Sequence, residues 1–399
     1  MEPSEPMTQP RNALTRRIVT IDVARGLVMV IMALDHVRDL LHTPALTQDP
    51  TDLATTTPVL FLTRWITHLC APTFVFLSGT SAYLSLQRRN GAEARSFLFK
   101  RGVVLIALEL TVINFAFWFD IHFRTILLQV IYAIGGGLMA LSVLSRLPVR
   151  WVGALGLLIL FGHNALPNAL PSAGEAGRFG WALLFRPNLF ALSPSFTVLV
   201  AYPLIPWLGI MLTGFAIGPL LAQPTAQRKR TLLGIGLAAL LLFGLLRLIN
   251  GYGDPAPWTV QNEGLFTALS FSNVTKYPPS LLYALLMLGL ALVILSIADR
   301  MDNVLTRVLT VYGTVPMFYY VLHWYFVHFV LIAMSLLQGY SWADLPTGTL
   351  NFGRPTGAGI SLGGVYAVWL GVVIALYPLC RWYGRYKAAH PQIGWLRYV

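Results

Sequence analysis

Residues 18–41, IVTIDVARGLVMVIMALDHVRDLL, constrain this chain more than any other stretch. They are long and apolar enough to cross a bilayer, yet they carry Asp22, Arg25, Asp35, His36, Arg38 and Asp39. An Arg or Asp at the centre of a spanning helix costs roughly 2.5–3.5 kcal/mol on the insertion scale, so such residues persist where they face a protein interior or a wet cavity. At 100° per residue, Arg25 and His36 point within about 20° of one another and lie roughly 16 Å apart along the axis. Asp22, Met29, Met32 and Asp39 share that broad face, and Arg38 does not. One side of the helix is therefore a polar track. Internal ion pairs, Asp22–Arg25 with Asp35–Arg38 or Asp39–Arg38, would account for the carboxylates but leave His36 unexplained.

Such a helix needs company, and the composition supplies it. Hydrophobic residues make up 56% of the 399 and charged residues 11%, with mean hydropathy +0.65, whereas soluble domains carry about 25% charged residues. The chain is expected to be an all-α, polytopic integral membrane protein. Apolar windows of about 20 residues place ten spans, with room for an eleventh, near 18–41, 59–86, 97–118, 124–145, 149–164, 197–222, 231–249, 279–298, 309–336 and 362–383. Basic residues orient them. Arg11, Arg16, Arg17, the 88–101 loop, Arg146, Arg150, the 228–230 run, Arg300, Arg307 and the C-terminal Arg381, Arg385, Lys387 and Arg397 make nineteen on one side. Arg124, Arg178, Arg186, Lys276 and Arg354 make five on the other. Both termini are thus expected in the cytoplasm, and this bias explains the net charge of +12 without nucleic acid as a partner. Residues 1–15, polar and holding Pro3, Pro6 and Pro10, read as a disordered cytoplasmic tail, and 16–399 as one transmembrane domain. Cys70 and Cys380 both sit in apolar segments, which implies neither a disulfide frame nor a metal cluster.

Imidazoles recur on three helices. In FLTRWITHLCAPTFVFLSGTSAYL, Arg64 and His68 are four apart and share a face at the depth of His36. Arg64 snorkelling to the headgroups and His68 bonding a neighbouring helix is the rival reading. Pro72 and Gly79 invite a kink and close packing there, as do Gly135–Gly137 and Gly209, Gly214 and Gly218 later in the chain. Glu109 and Asn114 interrupt the third span, and Arg25 is one candidate partner for the carboxylate. In YGTVPMFYYVLHWYFVHFVLIAM, His323 and His328 are five apart, so they diverge by about 140° and cannot both face one point. No His-Glu-x-x-His, nucleophile elbow or phosphate loop occurs, and no metal site is expected. No internal repeat is evident, which weakens a transporter built from inverted repeats.

The run IDVARGLVMVIMALDHVRDLL, the segment FLTRWITHLCAPTFVFLSGTSAYL, YPLIPWLGIMLTGFAIG, KYPPSLLY and YGTVPMFYYVLHWYFVH follow in that order over about residues 15–335. Together they resemble the bacterial family of the domain of unknown function 1624, which is related to the catalytic domain of heparan-alpha-glucosaminide N-acetyltransferase. The Arg25-to-His36 spacing also looks like the Arg-x10-His motif of the broader transmembrane acyltransferases. The resemblance implies an acyl group, acetyl or another, taken from cytosolic acyl-CoA and moved to the oxygen or nitrogen of a sugar, glycan or other small polar acceptor across a bacterial inner membrane. A homodimer and contact with membrane lipid fit the same picture. His36 matches the motif's histidine, with His42 as a rival because the reactive histidine of the lysosomal branch lies slightly later. The chain lacks that branch's large lumenal region, so heparan itself is not implied.

A histidine can serve acyl transfer as base or nucleophile. Asp35 adjoins His36 as a group to fix its tautomer, with Asp39 or Glu109 as alternatives. Arg64, His68 or His323 could stabilise the oxyanion. Arg25 would order the acyl-CoA arm or lock Asp22 and Glu109. His42, Arg64, Lys276, Tyr277 and His328 are candidate substrate contacts near the outer face. The competing class is a transporter or flippase in which the same track binds a small polar or glycolipid substrate without covalent chemistry. A structural subunit would have no use for imidazoles on three helices.

Overall fold

The computed structural model describes residues 19–166, 174–298 and 303–398, and the tail expected at 1–15 lies outside them. The described helices are α1 (Val19–Leu41), α2 (Pro58–Thr67), α3 (Cys70–Arg88), α4 (Gly91–Leu108), α5 (Asn114–Trp118), α6 (Val130–Leu144), α7 (Val149–Gly162), α8 (Glu175–Leu184), α9 (Leu204–Ile217), α10 (Thr225–Ile249), α11 (Gly264–Ser272), α12 (Leu281–Ala298), α13 (Val304–Thr314), α14 (Pro316–Leu337) and α15 (Leu362–Ala389). Among the described residues, six stretches are long and apolar enough to cross a membrane: Pro58–Arg88, Leu204–Leu221, Thr225–Ile249, Leu281–Ala298, Pro316–Leu337 and Leu362–Ala389. The molecule is a mostly helical membrane protein. All ten expected spans contain helix, but α6 and α7 are short, and the charges of α1 and α4 set them apart from the six.

Two of the expected spans are broken, and proline chemistry accounts for both. α2 and α3 meet at His68–Leu69. Pro72 has no N–H to give the carbonyl of His68 four residues earlier, and the Tyr283 hydroxyl donates to that oxygen instead at 2.8 Å. α13 and α14 part at Val315, which the following Pro316 bars from the helical region; its φ of −131° and ψ of 50° lie outside it. A small sheet also replaces expected helix. β1 (Thr125–Leu128) runs parallel to β3 (Phe196–Val200), which pairs antiparallel with β2 (Asn188–Ser193). β1 leads into α6 and β3 leads towards α9, so the sheet ties the starts of those two helices together. Leu128, Val198 and Val200 pack with Ala182 of α8 in a core of their own.

α1 sits inside the bundle, against α2, α3, α12, α13, α14 and α15. Its closest neighbour is α13. A Cβ at Gly26 would overlap the Leu309 carbonyl, and one at Gly313 would overlap that of Asp22, so the two backbones touch. Glycine alone allows that approach. The consequence is that Asp22, Asp35 and Arg38 are all buried by protein rather than turned to lipid.

Candidate active site

Two chambers open along the polar face of α1. The larger, about 280 Å³, is lined by Arg25, Ser78, Ser81, Ser85, Arg101 and Lys387 among apolar side chains. Arg25 donates to Ser81 Oγ at 3.0 Å, to the Gly313 carbonyl at 3.3 Å and to Asp22 Oδ1 at 3.4 Å, which fixes its guanidinium at the chamber wall. The smaller, about 70 Å³, is lined by Asp35, His36, Asp39, Gln129, Tyr202, Lys276, Tyr277, Trp324 and Phe352 with others. Phe74, Val130 and Tyr320 line both chambers, and so form the partition between them.

His36, in the smaller chamber's wall, meets the fully buried His323 behind it. His36 Nδ1 lies 2.6 Å from His323 Nε2, and His323 Nδ1 lies 3.1 Å from the Tyr319 carbonyl. A carbonyl only accepts, so His323 carries its proton on Nδ1. With both rings neutral, His323 Nε2 then accepts from His36 Nδ1–H, and His36 Nε2 is left with the lone pair. Trp324 stacks on the His36 ring at 4.0 Å and 26°, holding its plane. The chain of bonds orients the imidazole and fixes its tautomer through a second histidine rather than a carboxylate.

The carboxylates have other work. Asp35 accepts from Arg38 at 2.9 Å and from the Arg64 guanidinium, while Arg38 also donates to Asp39 at 2.6 Å. The expected role of Asp35 or Asp39 in fixing the histidine tautomer is thus taken by His323. Glu109 pairs with neither His36 nor Arg25. Its carboxylate accepts the backbone N–H groups of Gln129 and Tyr132, at the first turn of α6, where amides lack helical partners and the dipole favours negative charge. That burial follows a π-helical turn at Glu109–Ile113, and Asn114 locks it by donating to the Glu109 carbonyl at 2.6 Å. Gln129, so held, accepts from the Tyr320 hydroxyl at 3.3 Å.

The remaining candidates divide. Lys276 and Tyr277 line the His36 chamber, and Arg64 reaches its edge through Asp35. His68 is buried at the α2–α3 break with its ring against Tyr283, 5.7 Å away, while its neighbours Thr67 and Cys70 line the chamber. His328 stacks on Phe119 at 3.9 Å, on another side of α14 from His323. His42 offers its carbonyl to the fully buried Arg354 at 2.7 Å, and Arg354 also binds the Leu40 carbonyl at 3.1 Å, placing a cation at the negative end of α1. Gln129, Tyr202, Tyr320, Trp324 and Phe352 complete the site without having been singled out from sequence. Trp324 follows His323 directly and was the one with a visible signal; Phe352 arrives on a loop, stacked on Trp118 at 5.0 Å.

The sequence model of the family described as heparan-alpha-glucosaminide N-acetyltransferase, catalytic, matches residues 17–247. That segment includes Arg25, Asp35, His36, Arg64 and Gln129; Lys276, His323 and Trp324 lie beyond it. No curated protein matches the chain.

Proposed function

This chain belongs to the family of heparan-alpha-glucosaminide N-acetyltransferase catalytic domains, and from that premise we propose that it transfers an acyl group, acetyl in the simplest case, from acyl-CoA to a hydroxyl or amine acceptor across a membrane. Its function is that of a membrane acetyltransferase-like enzyme; the donor, the sidedness and the acceptor are our reading. The observation that carries it is the His36–His323 pair, whose bonding leaves a lone pair on His36 Nε2 in a chamber partitioned from a basic one.

The larger chamber, with Arg25, Arg101, Lys387 and three serines, suits the phosphates and polar arm of CoA. The basic-residue bias supports a cytoplasmic position for that side, both termini and the 88–101 loop, with the His36 chamber turned outward. Ten or eleven crossings in a bacterial inner membrane fit this orientation. The acyl thioester would enter past Phe74, Val130 and Tyr320 to meet a small polar acceptor, such as a sugar, from the other side. His36 Nε2 takes the acceptor's O–H or N–H proton as the acceptor's lone pair bonds the thioester carbon. Collapse of the tetrahedral intermediate breaks the C–S bond, and the sulfur leaves with the proton from His36. His323 orients the base throughout.

The test is thiol release from acetyl-CoA by purified protein in detergent. His36→Ala should lower turnover by about 10²–10⁴, the usual contribution of a general base, while acetyl-CoA binding persists. His42→Ala should retain near wild-type turnover, because the structure uses the backbone carbonyl of that residue rather than its ring. Loss of activity in the His42 variant with a functional His36 variant would move the base to His42.

A further inference from the structure

We propose that Lys276 is the oxyanion donor of the His36 chamber, the group that meets the negative charge formed on the thioester carbonyl. The inference rests on the acyl-transfer reading above and adds a residue and a role to it. Five side chains of fixed charge converge beside His36: Asp35, Asp39, Arg38, Arg64 and Lys276. Arg38 spans both carboxylates and Arg64 sits on Asp35. Among the described residues Lys276 makes no ion pair, although it is only 8% exposed and lines the chamber together with His36. Its ammonium stands over the Tyr277 ring, 5.0 Å from the ring centre, and the Tyr202 ring packs edge-on to that tyrosine at 5.4 Å. An ammonium has three N–H donors, all directed from a side chain that lines the chamber.

Three cations against two carboxylates leave this cluster one positive charge in excess. A buried charge without a counter-charge is strongly unfavourable, and it is retained where function brings the opposite charge. Acyl transfer does so at one atom: as the acceptor bonds the thioester carbon, the C=O π pair moves onto oxygen, and it returns when the C–S bond breaks. The other donors expected to serve there are committed or stand outside the chamber. Arg64 holds Asp35, His323 has one nitrogen on the Tyr319 carbonyl and the other on His36, and His68 lies behind the chamber's lining with its ring against Tyr283. Lys276 stands against the Tyr277 ring rather than on a carboxylate, so its charge is available when the oxyanion forms.

The rival role for the same lysine is to bind an anionic acceptor, and water separates the two. The oxyanion forms on the donor carbonyl whatever attacks it, so a lysine that only binds acceptor has no part in hydrolysis. Full-length protein in detergent would be assayed for thiol release from acetyl-CoA with water alone and with glucosamine as probe acceptor. Lys276→Met should lower kcat about 10²–10³-fold in both reactions, the range for a lost oxyanion donor. KM for acetyl-CoA should stay unchanged, and Lys276→Arg should regain part of the loss. If Lys276→Met does not fold, the kcat ratio of Lys276→Gln to Lys276→Arg carries the same test. Undiminished hydrolysis by Lys276→Met, with loss confined to the glucosamine reaction, would overturn the assignment in favour of acceptor binding. Wild-type protein that releases no thiol from either mixture would instead overturn acyl transfer itself.

Discussion

Asp35 gives the sharpest test of the charge network, because one carboxylate there holds two buried guanidiniums. Its side chain is 9% exposed, with Arg38 at 3% and Arg64 at 14%. Asp35→Asn keeps the volume and one acceptor oxygen but removes the charge. Arg38 retains Asp39 at 2.6 Å, so its loss is partial. Arg64 has no second carboxylate among the described ion pairs. Breaking a buried pair from one side costs about 3–5 kcal/mol. The oxygen that Asn still offers recovers about 1 kcal/mol as an ordinary hydrogen bond, leaving roughly 2–4 kcal/mol of destabilisation. Most of that is the orphaned Arg64, so Asp35→Asn combined with Arg64→Gln should be more stable than the sum of the single variants by about 1–3 kcal/mol. Equilibrium unfolding in mixed micelles measures all four corners of the cycle. A single Asp35→Asn variant within about 0.5 kcal/mol of wild type, or a double variant equal to the sum, would refute the reasoning, since independent sites add to that precision.

Two further outcomes follow from groups away from the histidines. Glu109→Gln should destabilise the protein by about 1–3 kcal/mol, because it leaves one acceptor oxygen where two buried amides each bond their own, and should lower thiol release through the displaced Gln129; unchanged stability in the same unfolding assay would deny the cap. Burial pushes the Asp120 carboxyl up, but hydrogen bonds from the Arg124 side chain and backbone and from the His122 N–H outweigh it and hold the group below the usual carboxylate range. Its contribution is therefore present at neutral pH and lost as pH falls below the ordinary carboxylate value towards the lowered one. The stability gap between wild type and Asp120→Asn should close over that acid window and stay constant above it.

The sequence displayed the charged helix, the divergence of His323 from His328 and the glycine contacts, because each is a matter of spacing along one helix. Gly26 and Gly313 show why packing was only half legible: a glycine announces close approach, but not which backbone approaches. Glu109 shows the larger gap. Its partners are main-chain amides of α6, and every residue has an amide, so no side-chain pattern marks them. The same blindness hid the Tyr319 carbonyl, which decides the tautomer of the histidine pair. β1 and β3 were absorbed into expected spans because TILL and FTVLV are as apolar as the helices they precede. Only their pairing with one another distinguishes them, and that pairing bridges about seventy residues.

A histidine held by a histidine has an electrostatic consequence that a histidine held by a carboxylate would not. The pair is uncharged at rest, so it adds no ion of its own to a low-dielectric setting where a lone charge is expensive. On the pair and the substrate, charge appears only as the acceptor's proton reaches His36 and the carbonyl oxygen becomes negative. These two changes are equal and opposite, and they occur in the same small chamber. The net charge of the site is the same before, during and after the step, so the surrounding protein need not reorganise to accommodate it. Asp35 could not have held His36 on these terms, because its charge already balances Arg64 and part of Arg38. Replacing His323 by Glu would therefore put a permanent charge at a fully buried position against the base. The expected result is a protein less stable than wild type despite a carboxylate of suitable reach, whereas His323→Gln, neutral and able to accept from His36 Nδ1–H, should fold normally and keep measurable thiol release. A Glu variant as stable as wild type would show that the neutrality of the pair is not what the site requires.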